Sequence, residues 1–346
     1  MQIKISVIIP VYNAEKFLNF CIESLVKQSQ RYCEFIFIND GSTDNSNEIL
    51  KNYQKIDERI ILVDQNNSGV SNARNNGLKI ARGEYISFVD ADDYLNYDFL
   101  LKLYEIAFQS NADIVISNFI TEQDGRWKIS KSIFPVNQIF EKEYIHQNIC
   151  TFLIKNDSLN SCCTKLFKKD FIKINDIEFP VDKKNSEDAF FTLKAFSIAN
   201  KVIFTDYSGY YYREVTGSAS RNILQKDYFT NAIEIYSLNY KELFNLNIED
   251  DTIKVLKSIR FIDSIIPLIH IYFNSSYCIS FSNKYKYVKS MIINPIVKQV
   301  IYDNWSVLNR DANRYRRLFL ICIKCQSMFG IVLTSFYSNY RNRNIS

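Results

Sequence analysis

Residues 5–11 form an unbroken apolar run, Ile-Ser-Val-Ile-Ile-Pro-Val, the mark of a strand covered on both faces. Residues 14–27 then carry apolar side chains at helical spacing. The alternation continues with strand 33–38, helix 44–55, strand 60–64, helix 69–82, strand 84–89, helix 97–109 and strand 112–117. Strands alternating with helices predict an α/β fold, a doubly wound, mostly parallel sheet with helices on both faces. Asp44 or Thr43 is expected to cap the second helix and Ser68 the third, which Gly83 should end. Residues 120–185 are less regular, with Gly125, Pro135 and Pro180 interrupting short elements, and predict an excursion packed beside the sheet. A helix over 186–199 and aromatic-rich strands over 201–206 and 208–213 follow. Beyond about residue 221 strand alternation stops, and helical periodicity covers 226–245, 251–272, 284–303 and 311–338. The expected division is 1–220 and a helical C-terminal region, 221–346.

Composition narrows the class. A chain of 346 residues, 47% hydrophobic and 23% charged, can bury a proper core, and 8 Gly with 5 Pro exclude collagen-like and low-complexity architectures. A net charge of +4 gives no argument for nucleic acid. Its distribution is uneven: residues 221–346 carry 17 Lys/Arg against 9 Asp/Glu, and residues 1–220 carry 25 against 29. Two such parts are expected to meet different partners. The opening MQIKISVIIPVYN reaches Pro10 without a long apolar stretch, so no signal peptide is expected and the chain reads as cytoplasmic. Eight scattered cysteines read as reduced thiols, and the single Cys322/Cys325 pair has no second pair to complete a zinc site.

In an open parallel sheet, ligands bind beyond the carboxyl ends of the strands, where loops and helix N-termini converge. The segments there are Pro10-Val11-Tyr12-Asn13, Asn39-Asp40-Gly41-Ser42, Asn66-Asn67-Ser68-Gly69 and Asp90-Ala91-Asp92-Asp93. Three carboxylates in the last repel one another unless a cation joins them, and oxygen ligands suit Mg²⁺ or Mn²⁺ bridging to phosphates. An isolated Asp-x-Asp would read as a solvated turn; its place at the end of a buried strand favours the metal. Asp40 fits two readings, turn chemistry or a carboxylate accepting the N3–H of a uracil stacked on Tyr12. Neither G-x-G-x-x-G after the first strand nor G-x-x-x-x-G-K-[ST] occurs, which argues against a dinucleotide dehydrogenase and a P-loop enzyme. Arg74 lies near a helix start that favours anions, though alone it reads as a structural arginine.

Taken together, Ser6-Val7-Ile8-Ile9-Pro10-Val11-Tyr12-Asn13, Asn39-Asp40-Gly41-Ser42-Thr43-Asp44, Ser68 to Gly77, Gly83-Glu84-Tyr85-Ile86 and Asp90-Ala91-Asp92-Asp93 resemble glycosyltransferase family 2, the inverting GT-A enzymes. The resemblance covers about residues 1–220 and extends through Thr164-Lys165-Leu166-Phe167, Ser186-Glu187-Asp188-Ala189-Phe190-Phe191 and Tyr210-Tyr211-Tyr212-Arg213. It implies that Asp40 reads uracil, that Asp90 contacts the ribose or the metal, and that Asp92 binds Mn²⁺ or Mg²⁺ on the diphosphate of a UDP-sugar. It also implies nucleotide-sugar contacts from Pro10, Tyr12, Arg74, Ala91 and Arg213. Asp188 becomes the candidate catalytic base, taking a proton from the acceptor hydroxyl as that oxygen attacks the anomeric carbon. Glu187 and Asp188 could otherwise merely stabilise a helix N-terminus. No QxxRW segment accompanies these motifs, so one sugar per encounter is expected. His146 and His270 fall outside the motifs and read as structural.

The expected function is transfer of a hexose or N-acetylhexosamine from a UDP-sugar to a glycan, carried on lipid, in bacterial capsule, lipopolysaccharide or other surface-polysaccharide synthesis. A sugar-nucleotide nucleotidyltransferase would need a basic, glycine-rich triphosphate loop that residues 10–16 lack, and a non-catalytic nucleotide-sugar-binding or scaffold protein would not need Asp92 and Asp188. Near the C-terminus, Arg310, Arg314, Arg316 and Arg317 precede an apolar stretch interrupted by Lys324. Residues 310–338 therefore read as a core helix or as an interfacial helix on anionic lipid, which would set the chain at the inner face of the cytoplasmic membrane, with a membrane span disfavoured by Lys324.

Overall fold

A computed structural model of the chain describes residues 2–123, 125–183, 186–213, 227–274, 280–310 and 312–343. The residues divide into two compact units, one of 1–153, 157–218 and 243–247, the other of 154–156, 219–242 and 248–346.

The first unit is built on the predicted alternation. Strand β1 (Ile5–Val11) leads to helix α1 (Glu15–Val26), β2 (Cys33–Asp40) to α2 (Ser46–Gln54), β3 (Ile60–Gln65) to α3 (Val70–Ile80), and β4 (Tyr85–Phe88) to the short β5 (Tyr94–Leu95) and α4 (Phe99–Ser110). Every residue of β2 is buried, as a strand covered on both faces requires. Then come β6 (Ile114–Gln123), β7 (Arg126–Ser130), β8 (Ile139–Glu141), β9 (Lys165–Lys168), α5 (Glu187–Ile198) and β10 (Lys201–Tyr212). One sheet runs β3-β2-β1-β4-β9-β6-β10-β5, with β7 on β6 and β8 on β10.

The β3-β2-β1-β4 half is parallel. The sheet becomes mixed where the irregular segment returns: β9 enters between β4 and β6, antiparallel to both. The two strands expected over 201–213 are one strand, β10, whose register to β6 shifts between Phe204 and Tyr210. A bulge there bends the strand without ending it.

Gly83 does not end α3, whose C-cap is Ala81. A Cβ on Gly83 would lie 2.4 Å from the Ser6 backbone nitrogen, so glycine is required there by the close approach of β1. The apolar interior also fixes α5. Phe191 stacks on Phe179 at 4.0 Å and meets Phe88 and Phe167 edge-on, which seats the first turn of the helix near the end of β4.

The second unit is helical, with α6 (Tyr228–Ser237), α7 (Asp250–Asn274), α8 (Phe281–Ile292), α9 (Pro295–Asp303), α10 (Arg314–Lys324) and α11 (Met328–Arg343). The helix expected over 284–303 breaks at Asn294, whose side chain caps the Ile296 amide at 2.9 Å ahead of Pro295 at the first helical position. The one expected over 311–338 breaks around Gln326, which has φ 53°. No helix among the described residues is long and apolar enough to cross a membrane. Cys322 is buried, Cys325 is exposed, and both are free thiols.

Candidate active site

The turns after β1 and β2 are laced together. Asn13, at φ 51°, accepts the Thr43 amide at 2.8 Å, and its own amide donates to Ser42 Oγ at 3.1 Å. The amides of Ala14 and Glu15 donate to Ser46 Oγ (2.9 Å) and Asp44 Oδ2 (3.0 Å). Asp44 therefore serves the starts of both α1 and α2, since its Oδ1 also accepts the amide of Ser46, the first residue of α2, at 3.0 Å, while Asn45 occupies the N-cap position of α2 without a side-chain cap.

Asp40, at the end of β2, is 4% exposed. Its Oδ1 accepts from Gln65 Nε2 at 2.7 Å and the Ser68 amide at 2.8 Å, and its Oδ2 from the Gly69 amide at 2.9 Å. It thus fixes the turn into α3, where Gly69 at φ 91° takes the N-cap position expected for Ser68. One lone-pair direction of Oδ2 is left after these bonds. Tyr12 is exposed. Pro10 stands past the last β1–β4 pair, Ile8 with Phe88, where a missing N–H costs that ladder nothing.

At the end of β4 the three aspartates take different roles. Asp93 accepts from Tyr210 Oη at 2.6 Å and the Arg213 amide at 2.9 Å, tying the turn to the end of β10. Burial, then the charge of Asp90, pushes its carboxyl up to about 8. Asp92 is partly buried and is likewise pushed up, by burial and then Asp90. Ala91 is buried beside it. The Arg213 guanidinium lies over the rings of Phe17, Phe20 and Tyr94 at 5.3, 4.9 and 5.3 Å.

Arg74 joins two of the candidate residues. It is 4% exposed, donates from Nη1 to Asp188 Oδ1 at 2.5 Å and from Nη2 to Asp90 Oδ1 at 2.9 Å, and lies 5.2 Å over the Phe179 ring. The Cys162 amide donates to Asp188 Oδ2 at 3.0 Å. Residues 74, 90 and 188 thus form one hydrogen-bonded group. Asp40 is outside it, bound to the turn that begins the helix carrying Arg74. The Arg74 guanidinium bridges two carboxylates, where the resemblance implied a nucleotide contact.

A cavity of about 380 Å³ opens beside this group, lined among others by Asp90, Asn118, Ser132, Ser161, Lys165 and Tyr210. Hydroxyls, amides and two charge signs on its wall suit a polyhydroxylated ligand. Lys165 was singled out in the sequence only as part of a family motif. Its side chain is 1% exposed, it donates to the Ser161 carbonyl, and burial pushes its amine down to about 8. An ammonium so deep beside a cavity is costly unless used. Thr164, also on the wall, has φ 64°, a strained conformation for a β-branched residue. Glu187 is another carboxyl pushed up by burial. Nothing in the sequence marked the strain at Thr164 or the separate role of Asp93.

No group of three or more His, Cys, Asp or Glu side chains among the described residues is arranged to hold an ion alone. Asp90 and Asp93 are engaged as described, and Asp92 makes no hydrogen bond to another described residue. The fit is to an ion that takes one or two carboxylates and completes its shell with phosphate oxygens and water, the usual habit of Mg²⁺. His146 accepts the Asn247 amide at 3.0 Å and His270 pairs with Tyr315 Oη at 2.8 Å; neither stands in this site.

Residues 6–173 match the family description "Glycosyl transferase family 2". Over 227 residues the chain is 35% identical to glycosyltransferase GlyA of Streptococcus pneumoniae serotype 4, covering 63% of this chain and 32% of that one. Over 249 residues it is 32% identical to poly(ribitol-phosphate) beta-N-acetylglucosaminyltransferase TarP of Staphylococcus aureus strain N315, covering 69% of this chain and 72% of TarP. The structure of S. aureus TarS 1–349 in complex with UDP-GlcNAc superposes with a TM-score of 0.68 at 23% identity, covering 98% of this chain and 92% of that one, a likeness of fold.

Proposed function

The chain belongs to glycosyl transferase family 2 and is a glycosyltransferase; from that premise we propose that it moves a hexose or N-acetylhexosamine from a UDP-sugar to a glycan of the bacterial surface, one sugar per encounter and with inversion. The observation that carries this reading is the convergence of Asp90, Arg74 and Asp188 beside the polar cavity. A UDP bound donor supports it, since TarP by its name transfers N-acetylglucosamine and TarS is described with UDP-GlcNAc. TarP also by its name makes a β bond, whereas UDP-GlcNAc carries its sugar through an α bond, so inversion fits.

In this reading uracil stacks on Tyr12 and offers its N3–H to the remaining lone pair of Asp40, with Pro10, Ala91 and Arg213 bordering the nucleotide and Asp90 its ribose. Asp92, with Asp90, would hold Mg²⁺ or Mn²⁺, which when bound offsets the charge of the diphosphate. The transferred sugar occupies the cavity. Asp188 keeps one lone-pair direction on each oxygen after its bonds to Arg74 and Cys162, enough to accept the acceptor's hydroxyl proton. That oxygen then bonds to the anomeric carbon, the bond from carbon to the β-phosphate oxygen breaks, and UDP leaves with the electron pair. Arg74 keeps Asp188 aimed. A lipid-linked acceptor would bring the reaction to the inner face of the cytoplasmic membrane.

A thermal-shift panel of UDP-glucose, UDP-galactose, UDP-GlcNAc and UDP-GalNAc with Mn²⁺ tests the donor class, because ligands that bind only the native state raise the melting temperature. One donor is expected to raise it more than UDP does and to release UDP in a manner sensitive to EDTA. No shift with any of them would overturn the reading.

A further inference from the structure

Helices α10 and α11 bury one stripe each and leave another in solvent. Phe319, Leu320, Ile323, Met328 and Ile331 join the apolar core of the helical unit. The outward stripe of α10 carries Leu318 and Ile321 and that of α11 carries Phe329, Leu333, Phe336 and Tyr337, at helical spacings of three and four. These six side chains are between 41% and 80% exposed. Soluble surfaces scatter large apolar residues singly, so six within twenty positions mark an interaction surface.

From residue 312 onward the charges along the chain have one sign. Residues 312–346 contain six Lys and Arg and no Asp or Glu. Arg316 is paired with Asp263 at 2.5 Å and Lys324 lies 4.1 Å over the Trp305 ring, while Arg314 and Arg317 are exposed on the outward side, Arg317 bonding Asn309. A second copy of the chain meeting this face symmetrically would set these arginines against their own counterparts. An apolar ridge flanked by cations matches the boundary between acyl chains and anionic headgroups.

We propose that the outward face of residues 314–337 docks on an anionic bilayer, with Phe329, Leu333, Phe336 and Tyr337 at the acyl boundary and Arg314 and Arg317 at lipid phosphates. The inference rests on this surface alone and not on the transferase reading. The full chain is sedimented with phosphatidylcholine vesicles with and without phosphatidylglycerol, at low and high salt. The wild-type chain should sediment with the anionic vesicles and dissociate as salt rises. Phe329→Ser with Leu333→Ser, and separately Arg314→Gln with Arg317→Gln, should each lower the bound fraction at least about tenfold. Melting temperatures stay at the wild-type value, because all four side chains are exposed. Equal sedimentation with and without phosphatidylglycerol, binding that both double variants retain, or a concentration-dependent oligomer that the Phe329→Ser/Leu333→Ser variant dissolves would each overturn the proposal.

Discussion

Replacing Arg74 with Met removes a guanidinium held between two carboxylates and keeps an unbranched stem that can lie on Phe179. The charge-assisted bonds lost are those to Asp188 at 2.5 Å and Asp90 at 2.9 Å. Breaking a fully buried ion pair from one side costs about 3–5 kcal/mol because a charge is left uncompensated. The Asp90 and Asp188 side chains are 35% and 24% exposed, so both can recover some hydration, and the cost here falls to about 2–3 kcal/mol. For a unit of this size that corresponds to roughly 4–12 °C in melting temperature. The same change frees Asp188 to turn away, and turnover should fall by at least about a hundredfold. Calorimetric unfolding and a UDP-release assay read the two effects. Adding Asp188→Asn to Arg74→Met should cost less than the separate losses together, by about 0.5–3 kcal/mol, since the two side chains share one contact. Wild-type melting in Arg74→Met, or strict additivity in the double variant, would refute the bridge.

Lys165 supplies a prediction of opposite sign. Its folded pKa, pushed down to about 8, lies below the ordinary lysine value, so the native state disfavours its proton. The Lys165 contribution to stability, read as the difference between wild type and Lys165→Met, should therefore climb between about pH 8 and pH 10, by up to about 3 kcal/mol, and stay flat below that window. Urea unfolding of Lys165→Met should lack the climb while turnover drops; parallel pH curves for the two chains would contradict the assignment. Asp57 behaves in reverse: the hydrogen bond from Arg59 holds its carboxyl low, so the pair stabilises above about pH 4 and is lost in stronger acid. Asp57→Asn should cost about 1–2 kcal/mol near neutrality and almost nothing close to pH 2, as read by denaturant unfolding at both. Gly83→Ala should cost about 3 kcal/mol or more, because its Cβ would sit 2.4 Å from the Ser6 backbone nitrogen, and an unchanged melting temperature would deny that close approach.

Much of the first unit was legible from periodicity. Strands β1, β2 and β4 are apolar runs buried on both faces, and their polar successors announce the crevice. Strand β9 was not legible: four residues, Lys-Leu-Phe-Lys, follow a strained Thr164 and carry a lysine at a position that proves buried. The single β10 read as two strands because Tyr207 to Gly209 resemble a turn, and a bulge leaves the same local signature as a break. Ser68 is a good capping residue for its own helix, yet Asp40, a long-range partner in the fold, claims it first, whereas Asp44 holds the Ser46 amide of its own helix together with the Glu15 amide of α1. Among Asp90, Asp92 and Asp93 no local rule says which turns inward; Tyr210, more than a hundred residues away, decides it for Asp93.

Asp188, in the proposed reaction, accepts the acceptor's proton at a site that binds the nucleotide independently of it. UDP-release turnover of Asp188→Asn, with UDP affinity measured on the same preparation, tests it most directly. Turnover should fall by about 10²–10⁴-fold at wild-type UDP affinity. Near-wild-type turnover in that variant would contradict it.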